Sequence, residues 1–515
     1  MSRWSPMVLL LGLWLGLSPA WADPPGRVGR LAEATGPVWI FDPTPGEWTS
    51  APLNRPITAG DRLHTDPAAR ADIRIGSTSL RLDGHTEVEF QALDDERIRV
   101  LVHEGSVALR LRAADKVREV EVLTAEGRLS PQRVGRYRVD RQGGATAVTV
   151  ADGTGLFEGP GAALTLYPRQ RGEFWIDSRL SATLQYSITD PLRDAFTSWN
   201  NGRDQVEDRA VAGQRWVSPE MTGADDLDRH GEWSESAEHG PLWAPRAVPP
   251  GWAPYRYGSW AWIAPWGWTW VDDAPWGFAP FHFGRWVWYR DAWRWSPGRW
   301  VARPVYAPAL VAWVGGPHVS IGVSVGSGPP IGWFPLGPRE VYVPWYGVSP
   351  RYVQVVNQGH VTQIVNVTQI VQSPNVVVAQ TPYLHRHFEP GVTVVPGSVL
   401  TRRQPVAPIA AQWRELPGVR DLIRDPHRGG PVLADPGLPG LAPRSPGDVA
   451  GRPPPVRAEM PAPPARMQIP ERVPAPTARP VVPPEPGADR SAPRPDAWPG
   501  GRFAGPDAAR PDRRG

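Results

Sequence analysis

Apolar and polar residues alternate in short runs over residues 27–178. Ala71, Ile73 and Ile75 share one face, as do Leu80 and Leu82, Val88 and Phe90, then Ile98, Val100 and Val102. Val107, Leu109 and Leu111 follow, then Val120 and Val122, Tyr137 and Val139, Val148 and Val150, Leu164 and Leu166. A period of two predicts strands buried on one face. Gly76, Asp83-Gly84, Gly105, Gly143-Gly144, Asp152-Gly153 and Pro160-Gly161 punctuate the runs as turns. Strands spaced about 8–12 residues apart predict an all-β sandwich or barrel-like domain.

The period changes over residues 184–230. Asp190-Pro191 reads as a helix start, with a capping carboxylate followed by proline at the first helical position. Leu192, Phe196 and Trp199 then fall on one helical face, and Asn201-Gly202 is expected to end or break the helix. This stretch reads as a structural bridge with one apolar face packed on a neighbour.

From residue 231 to about 405 the apolar positions are dominated by tryptophan. Seventeen of the 27 tryptophans lie between Trp233 and Trp345. A Gly-x-Trp unit recurs at Gly231/Trp233, Gly258/Trp260 and Gly284/Trp286, about 26–27 residues apart, and sooner at Gly298/Trp300. Trp-x-Trp pairs recur as well, and Trp266, Trp268 and Trp270 form a triple. On a strand such pairs place two rings on one face, so the segment predicts short hairpins carrying aromatic ladders. Packing is the first reading of those rings. The functional alternative is stacking on sugar rings of peptidoglycan or another polysaccharide. Trp266, Trp268, Trp270, Trp286 and Trp288 are the candidates for it, with Tyr255, Tyr257, Phe281, His282 and Tyr289 adding polar tips.

The tandem Val361-Thr-Gln-Ile-Val-Asn and Val367-Thr-Gln-Ile-Val-Gln has high β-propensity and predicts a long edge strand or a packed hairpin. Beyond residue 405 the chain turns proline- and arginine-rich, with 18 Arg against 12 Asp and Glu from residue 401 on. Such a segment cannot bury enough apolar surface to offset its ordering entropy, so residues 406–515 are expected to be a disordered basic tail.

Composition narrows the setting. Arg3, an apolar run from Val8 to Leu17, and Ala20-Trp21-Ala22 have the order of a signal peptide, with cleavage expected after Ala22. About ten apolar residues are too few to cross a bilayer. No second stretch of spanning length follows, so a periplasmic or secreted protein without a transmembrane segment is expected. The absence of cysteine excludes disulfides, a thiol-linked lipid, cysteine-ligated metal and thiol catalysis. A net charge of +3 and a pI near 9.3 would allow nucleic acid, but export and the mixing of both charge signs argue against it.

Residues Gly60-Asp61-Arg62-Leu63 with Thr65, Leu80 to Gly84, Gly105-Ser106-Val107, and Val122 with Thr124 resemble the FecR-like domain. Val134-Gly135-Arg136-Tyr137 departs from the pattern, which has Gly-Thr before the late strand. The resemblance implies a periplasmic β domain with a binding or scaffolding role. The regulator role of the proteins that named the family does not carry over, because no cytoplasmic part or membrane helix precedes the domain. Residues 185–405 resemble a Trp/Tyr-rich family of unknown function that follows FecR-like domains in exported proteins of Gram-negative bacteria. The likeness rests on Trp216-Val217-Ser218, Gly267-Trp268-Thr269-Trp270-Val271, Pro275-Trp276-Gly277-Phe278-Ala279-Pro280 and Ile331-Gly332-Trp333-Phe334-Pro335, among others. It implies no catalytic or ligand residue.

No catalytic fingerprint is present. Asp272-Asp273 is a conceivable carboxylate pair, but neighbours on a strand point to opposite faces. His385-Arg386-His387, with Glu389 nearby, is the densest histidine cluster. The expectation is a mainly β, non-enzymatic envelope protein without cofactor or metal. Its partner would be an envelope polymer or a periplasmic protein. A sensor or accessory protein acting through the FecR-like domain, and a glycan hydrolase, are the alternatives.

Overall fold

The computed structural model describes residues 23–42, 46–177, 182–209, 215–315, 330–364 and 366–415. The expected signal peptide and the tail beyond residue 415 lie outside them.

Alternation over the first 190 residues produces two sheets that face each other across one core. One 14-residue strand, Ile98–Leu111, belongs to both. Its first half pairs with Glu87–Leu93 and, in parallel, with Val120–Leu123. Its second half pairs with Thr78–Leu82 and Gly135–Gln142. Gly105 sits at the changeover with φ +91°, and a Cβ there would lie 2.4 Å from Thr86 Oγ1. The expected turn at Gly105 is therefore a bend inside a continuous strand, which glycine alone tolerates at that angle and that distance.

Register decides the two faces of the second sheet. Ile73 pairs with Leu80, Leu80 with Leu109, and Leu109 with Tyr137, and all four side chains lie in the core. One residue along, Asp72 pairs with Arg81, Arg81 with Ala108, Ala108 with Arg138, Arg138 with Thr149, and Thr149 with Arg171. The outer face is thus a row of arginines and their carboxylates.

The helix Ala195–Asp208 lies against that row. It starts four residues later than expected. Asp194 is the cap, its carboxylate accepting from Thr197 N at 2.8 Å. Residues Thr183–Thr189 are taken up as a strand paired with Gln170–Asp177, so the chain must first turn out of the sheet. Gly202 does not end the helix. It faces open space, where glycine costs about 1 kcal/mol relative to alanine without breaking the element. The contact face also differs from the expected apolar one. Phe196 is buried, but Leu192 is exposed. Ion pairs hold the rest of the contact: Arg81 with Asp204 at 2.7 Å, Arg74 with Glu207 at 2.5 Å, Arg110 with Glu207 at 3.2 Å and Arg138 with Asp194 at 2.7 Å.

The Trp-rich part builds three small sheets around a second core. Gly231–Ser236, Gly240–Pro245, Ala292–Ser296 and Arg285–Tyr289 form one, in that spatial order. Gly258–Ile263 pairs with Gly267–Asp272, and Val311–Gly315 with Pro330–Pro335 and Thr393–Pro396. The two cores are joined through buried polar contacts. Arg30 pairs with Asp226 and donates to Pro275 O at 2.7 Å, and Asn54 Nδ2 donates to Asp272 O and Ala274 O at 2.7 Å.

Two expectations fail toward the C-terminal end. Val367–Gln372 is a helix, not a strand. β-Propensity is set by the packing context and is readily overridden by it. Here the segment packs instead beside the helix Pro350–Asn357, with Ile370 buried. Val406–Arg414, expected to begin the tail, is also a helix. Val406 and Ala410, one turn apart, are buried, and the helix packs on the strand Thr393–Pro396. The class expected from the sequence stands: mainly β, with a short helical bridge.

Candidate functional site

The Gly-x-Trp period has a structural cause. Each of the first three glycines lies under a tryptophan of the partner strand. A Cβ on Gly231 would lie 2.1 Å from the Trp243 ring, on Gly258 2.7 Å from the Trp270 ring, and on Gly284 2.2 Å from Trp295 Nε1. The indole N–H groups then find acceptors: Trp243 donates to Leu227 O at 2.9 Å, Trp270 to Asp272 Oδ2 at 3.0 Å, and Trp295 to Phe283 O at 2.8 Å. Cross-strand ring pairs complete the ladders, Trp260 with Trp270 and Trp286 with Trp295.

These ladders are core, so the expected stacking row does not form. Trp266, Trp268, Trp270, Trp286 and Tyr255 are all 3 % exposed or less. The strand Gly267–Asp272 is buried on both faces, because neighbouring sheets and loops cover the small side as well as the aromatic one. Trp288 is 38 % exposed but packs against Trp293 and Phe388, and Tyr257 is half-buried. Phe281 and His282 are buried, while Tyr289 is half-buried at a hairpin end.

The other chemical candidates separate too. Asp272 is buried and accepts from Trp270 Nε1 and Ala274 N, and burial raises its carboxyl well above the usual range. Asp273 is exposed, so the two do not form a facing pair. His385 is buried with Nδ1 2.9 Å from Pro335 O. Among the described residues no group of three His, Asp or Glu is placed to hold a metal.

The fourth Gly-x-Trp behaves differently. Gly298, at φ +78°, presses against the chain at residues 358–360, where a Cβ would lie 2.4 Å from Gly359 O and 2.5 Å from His360 Cε1. Arg299 N donates to Gly359 O at 2.8 Å and Arg299 Nη2 to Gln358 O at 3.1 Å. This contact turns Trp300 outward. At 56 % exposed it is the most exposed tryptophan among the described residues.

Trp300 stands at a small cleft of about 40 Å³, which Trp216, Arg299, Gln358 and His360 also line. His282, Arg285 and Ser218 are buried members of its wall. Trp216 Nε1 and His282 Nε2 are buried there without a hydrogen-bond partner. Burial, with Arg285 and Arg299 nearby, holds the His360 imidazole well below its usual range and therefore neutral. The cleft thus offers an exposed ring, a second half-buried ring, and donors and acceptors with spare capacity. The sequence signal for it was the broken spacing of the fourth unit after Ser296-Pro297, and Trp216 carried no signal beyond the family likeness.

His282 supports a pH prediction. Its Nδ1 is 2.8 Å from Ala307 O, which can only accept, so Nδ1 carries the proton and Nε2 is bare. Burial lowers its pKa to about 3. A folded-state pKa below the unfolded one means that unfolding takes up a proton. This contribution is therefore complete above about pH 6.5 and is lost as pH falls toward 3. His282→Asn keeps a donor without the titration. The stability difference between the native protein and this variant is expected to shift by roughly 3 kcal/mol against the native protein from pH 7 to pH 4.5, at about 1.4 kcal/mol per unit. Urea unfolding at the two pH values measures it, and a pH-independent difference would show that the ring is not held neutral.

Residues 224–340 match a family of unknown function, DUF6600. No curated protein matches the chain. Two crystal structures of a candidate anti-sigma factor from Parabacteroides distasonis are similar at 14 % identity and a TM-score of 0.23, covering 27 % of this chain and 64 % and 65 % of theirs. The chain therefore spans less than two thirds of the length of those structures.

Proposed function

We propose that this is an exported cell-envelope protein that binds glycan without transforming it. The sugar lies on the exposed Trp300 ring at the mouth of the cleft, and the N-terminal sandwich, read as FecR-like, serves as the scaffold. The observation that carries the reading is Trp300: in a segment whose rings are mostly packed away, it is the most exposed among the described residues, and it stands beside unpartnered buried polar atoms. An aromatic face next to a few convergent polar groups is the usual make-up of a small-molecule site. The buried ladders explain why the fully buried tryptophans need no ligand.

Co-sedimentation with purified peptidoglycan tests this. Trp300→Ala is expected to weaken binding about tenfold or more, as for a central aromatic contact. Trp288→Ala, outside the cleft, is expected to leave binding unchanged. Equal binding by all three proteins would overturn the assignment of the cleft. Export has its own check: the mature protein recovered from the periplasmic fraction is expected to begin at Asp23, and an intact Met1 in that fraction would refute cleavage.

A further inference from the structure

Charge distinguishes the cleft from the outer face of the sandwich. On the sandwich, Arg74, Arg81, Arg110, Arg138 and Arg171 each meet a carboxylate within 4 Å. At the cleft none of the lining residues is Asp or Glu. Arg285 is 1 % exposed, yet its three nitrogens donate only to neutral acceptors: Glu340 O at 3.1 Å, Gly284 O at 2.8 Å and Asn357 Oδ1 at 2.9 Å. Among the described residues neither Arg285 nor Arg299 has a carboxylate at ion-pair distance. Asn357 is held in place for its role, its Nδ2 donating to Tyr342 O and Val353 O at 2.9 Å.

The Glu340 carboxylate attracts Arg285 only from beyond ion-pair distance, and a buried guanidinium so weakly countered is unfavourable unless something compensates it. Burial draws the Arg285 pKa down to about 10, which leaves it fully charged at neutral pH. The two cleft histidines are neutral and do not alter the balance. The lining charges of the cleft are therefore both positive, one buried in the wall and one exposed at the mouth.

We infer that the cleft selects an anionic sugar: a glycan unit bearing a carboxylate, its ring against Trp300 and its carboxylate at Arg299, with Arg285 acting through its field from the wall. The inference rests on the glycan reading above and adds the charge of the ligand. Arg299 is placed for direct contact because it is exposed at the rim, one residue from Trp300. Its Nη2 bond to Gln358 O fixes the guanidinium and leaves other donors free.

Two disaccharides separate the possibilities. N-acetylglucosaminyl-N-acetylmuramic acid and chitobiose share two acetamido sugars, and the lactyl carboxylate of the first supplies the charge. With the full chain and tryptophan fluorescence as readout, the acidic disaccharide is expected to bind about tenfold more tightly in low salt. That advantage should shrink as ionic strength rises. Arg299→Gln is expected to erase the advantage, lowering affinity for the acidic disaccharide by far more than that for chitobiose, and thermal melting of the variant checks that its fold is retained. Equal affinity for the two sugars would overturn the anionic selectivity while the glycan reading stands. Binding of neither sugar at millimolar concentration would overturn both. A preference for the acidic sugar that survives Arg299→Gln would remove Arg299 from the role given to it here.

Discussion

Glu207→Ala is expected to destabilise the protein by about 3–5 kcal/mol, the range for breaking a buried ion pair from one side. Glu207 is 3 % exposed. Its carboxylate pairs with Arg74, Arg81 and Arg110 and accepts from Ser79 Oγ at 3.1 Å. Removing it leaves two nearly buried guanidiniums facing each other with less counter-charge, and like charges in that setting repel strongly. Glu207→Gln keeps the shape and one acceptor, so it should lose less than the alanine. Guanidinium chloride unfolding, followed by far-UV circular dichroism, measures both. A loss under 1 kcal/mol for the alanine would mean that the helix is held by Phe196 and not by charge. Acid should attack the same interface. Burial raises the Asp72 carboxyl, but Arg74, Arg81 and Arg203 outweigh that and hold it below its ordinary value of 3.8. Its contribution is present above about pH 4 and is lost as pH falls through the lower folded-state value.

Gly284→Ala should be comparably damaging in the second core, by roughly 3 kcal/mol. The glycine is at φ +71°, where a side chain costs about 1–2 kcal/mol. The added Cβ would also lie 2.2 Å from Trp295 Nε1, and over-packing costs typically 1–3 kcal/mol. Trp295 is fully buried and donates to Phe283 O, so it cannot move aside without giving up that bond. Trp295→Phe is smaller and costs stability by itself, but it removes the atom that the new methyl meets. The double variant should therefore be more stable than the sum of the two single losses, by 0.5 kcal/mol or more. Additive losses would show that the ring and the glycine do not constrain each other.

Much of this protein is legible without coordinates, and particular residues show why. The alternation from Ala71 to Val150 reports a sandwich because a strand repeats every two residues and only one side can face a core. The Gly-x-Trp units report hairpins for a related reason: a ring that lies flat over the neighbouring strand requires glycine beneath it. Local rules failed where they depended on what lay alongside. Val361–Gln372 has strand-forming residues, yet its second half is helical and packs beside the helix Pro350–Asn357. Asp190-Pro191 is a sound helix start that the preceding strand displaced to Asp194.

The candidate site shows the same division more sharply. Sequence by itself determined the fold class, the division into an alternating part and an aromatic part, the hairpins, and the concentration of tryptophan. These follow from periodicity and side-chain size, which are properties of neighbours along the chain. Which rings are covered was decided by tertiary structure alone. Trp266 and Trp300 are the same residue in similar Pro- and Gly-rich contexts, yet one is 1 % and the other 56 % exposed. The difference comes from Tyr306 packing against the first, and from residues 358–360 bracing Gly298 so that the second points outward. Exposure depends on what a distant part of the chain brings to each face, and that information is not local.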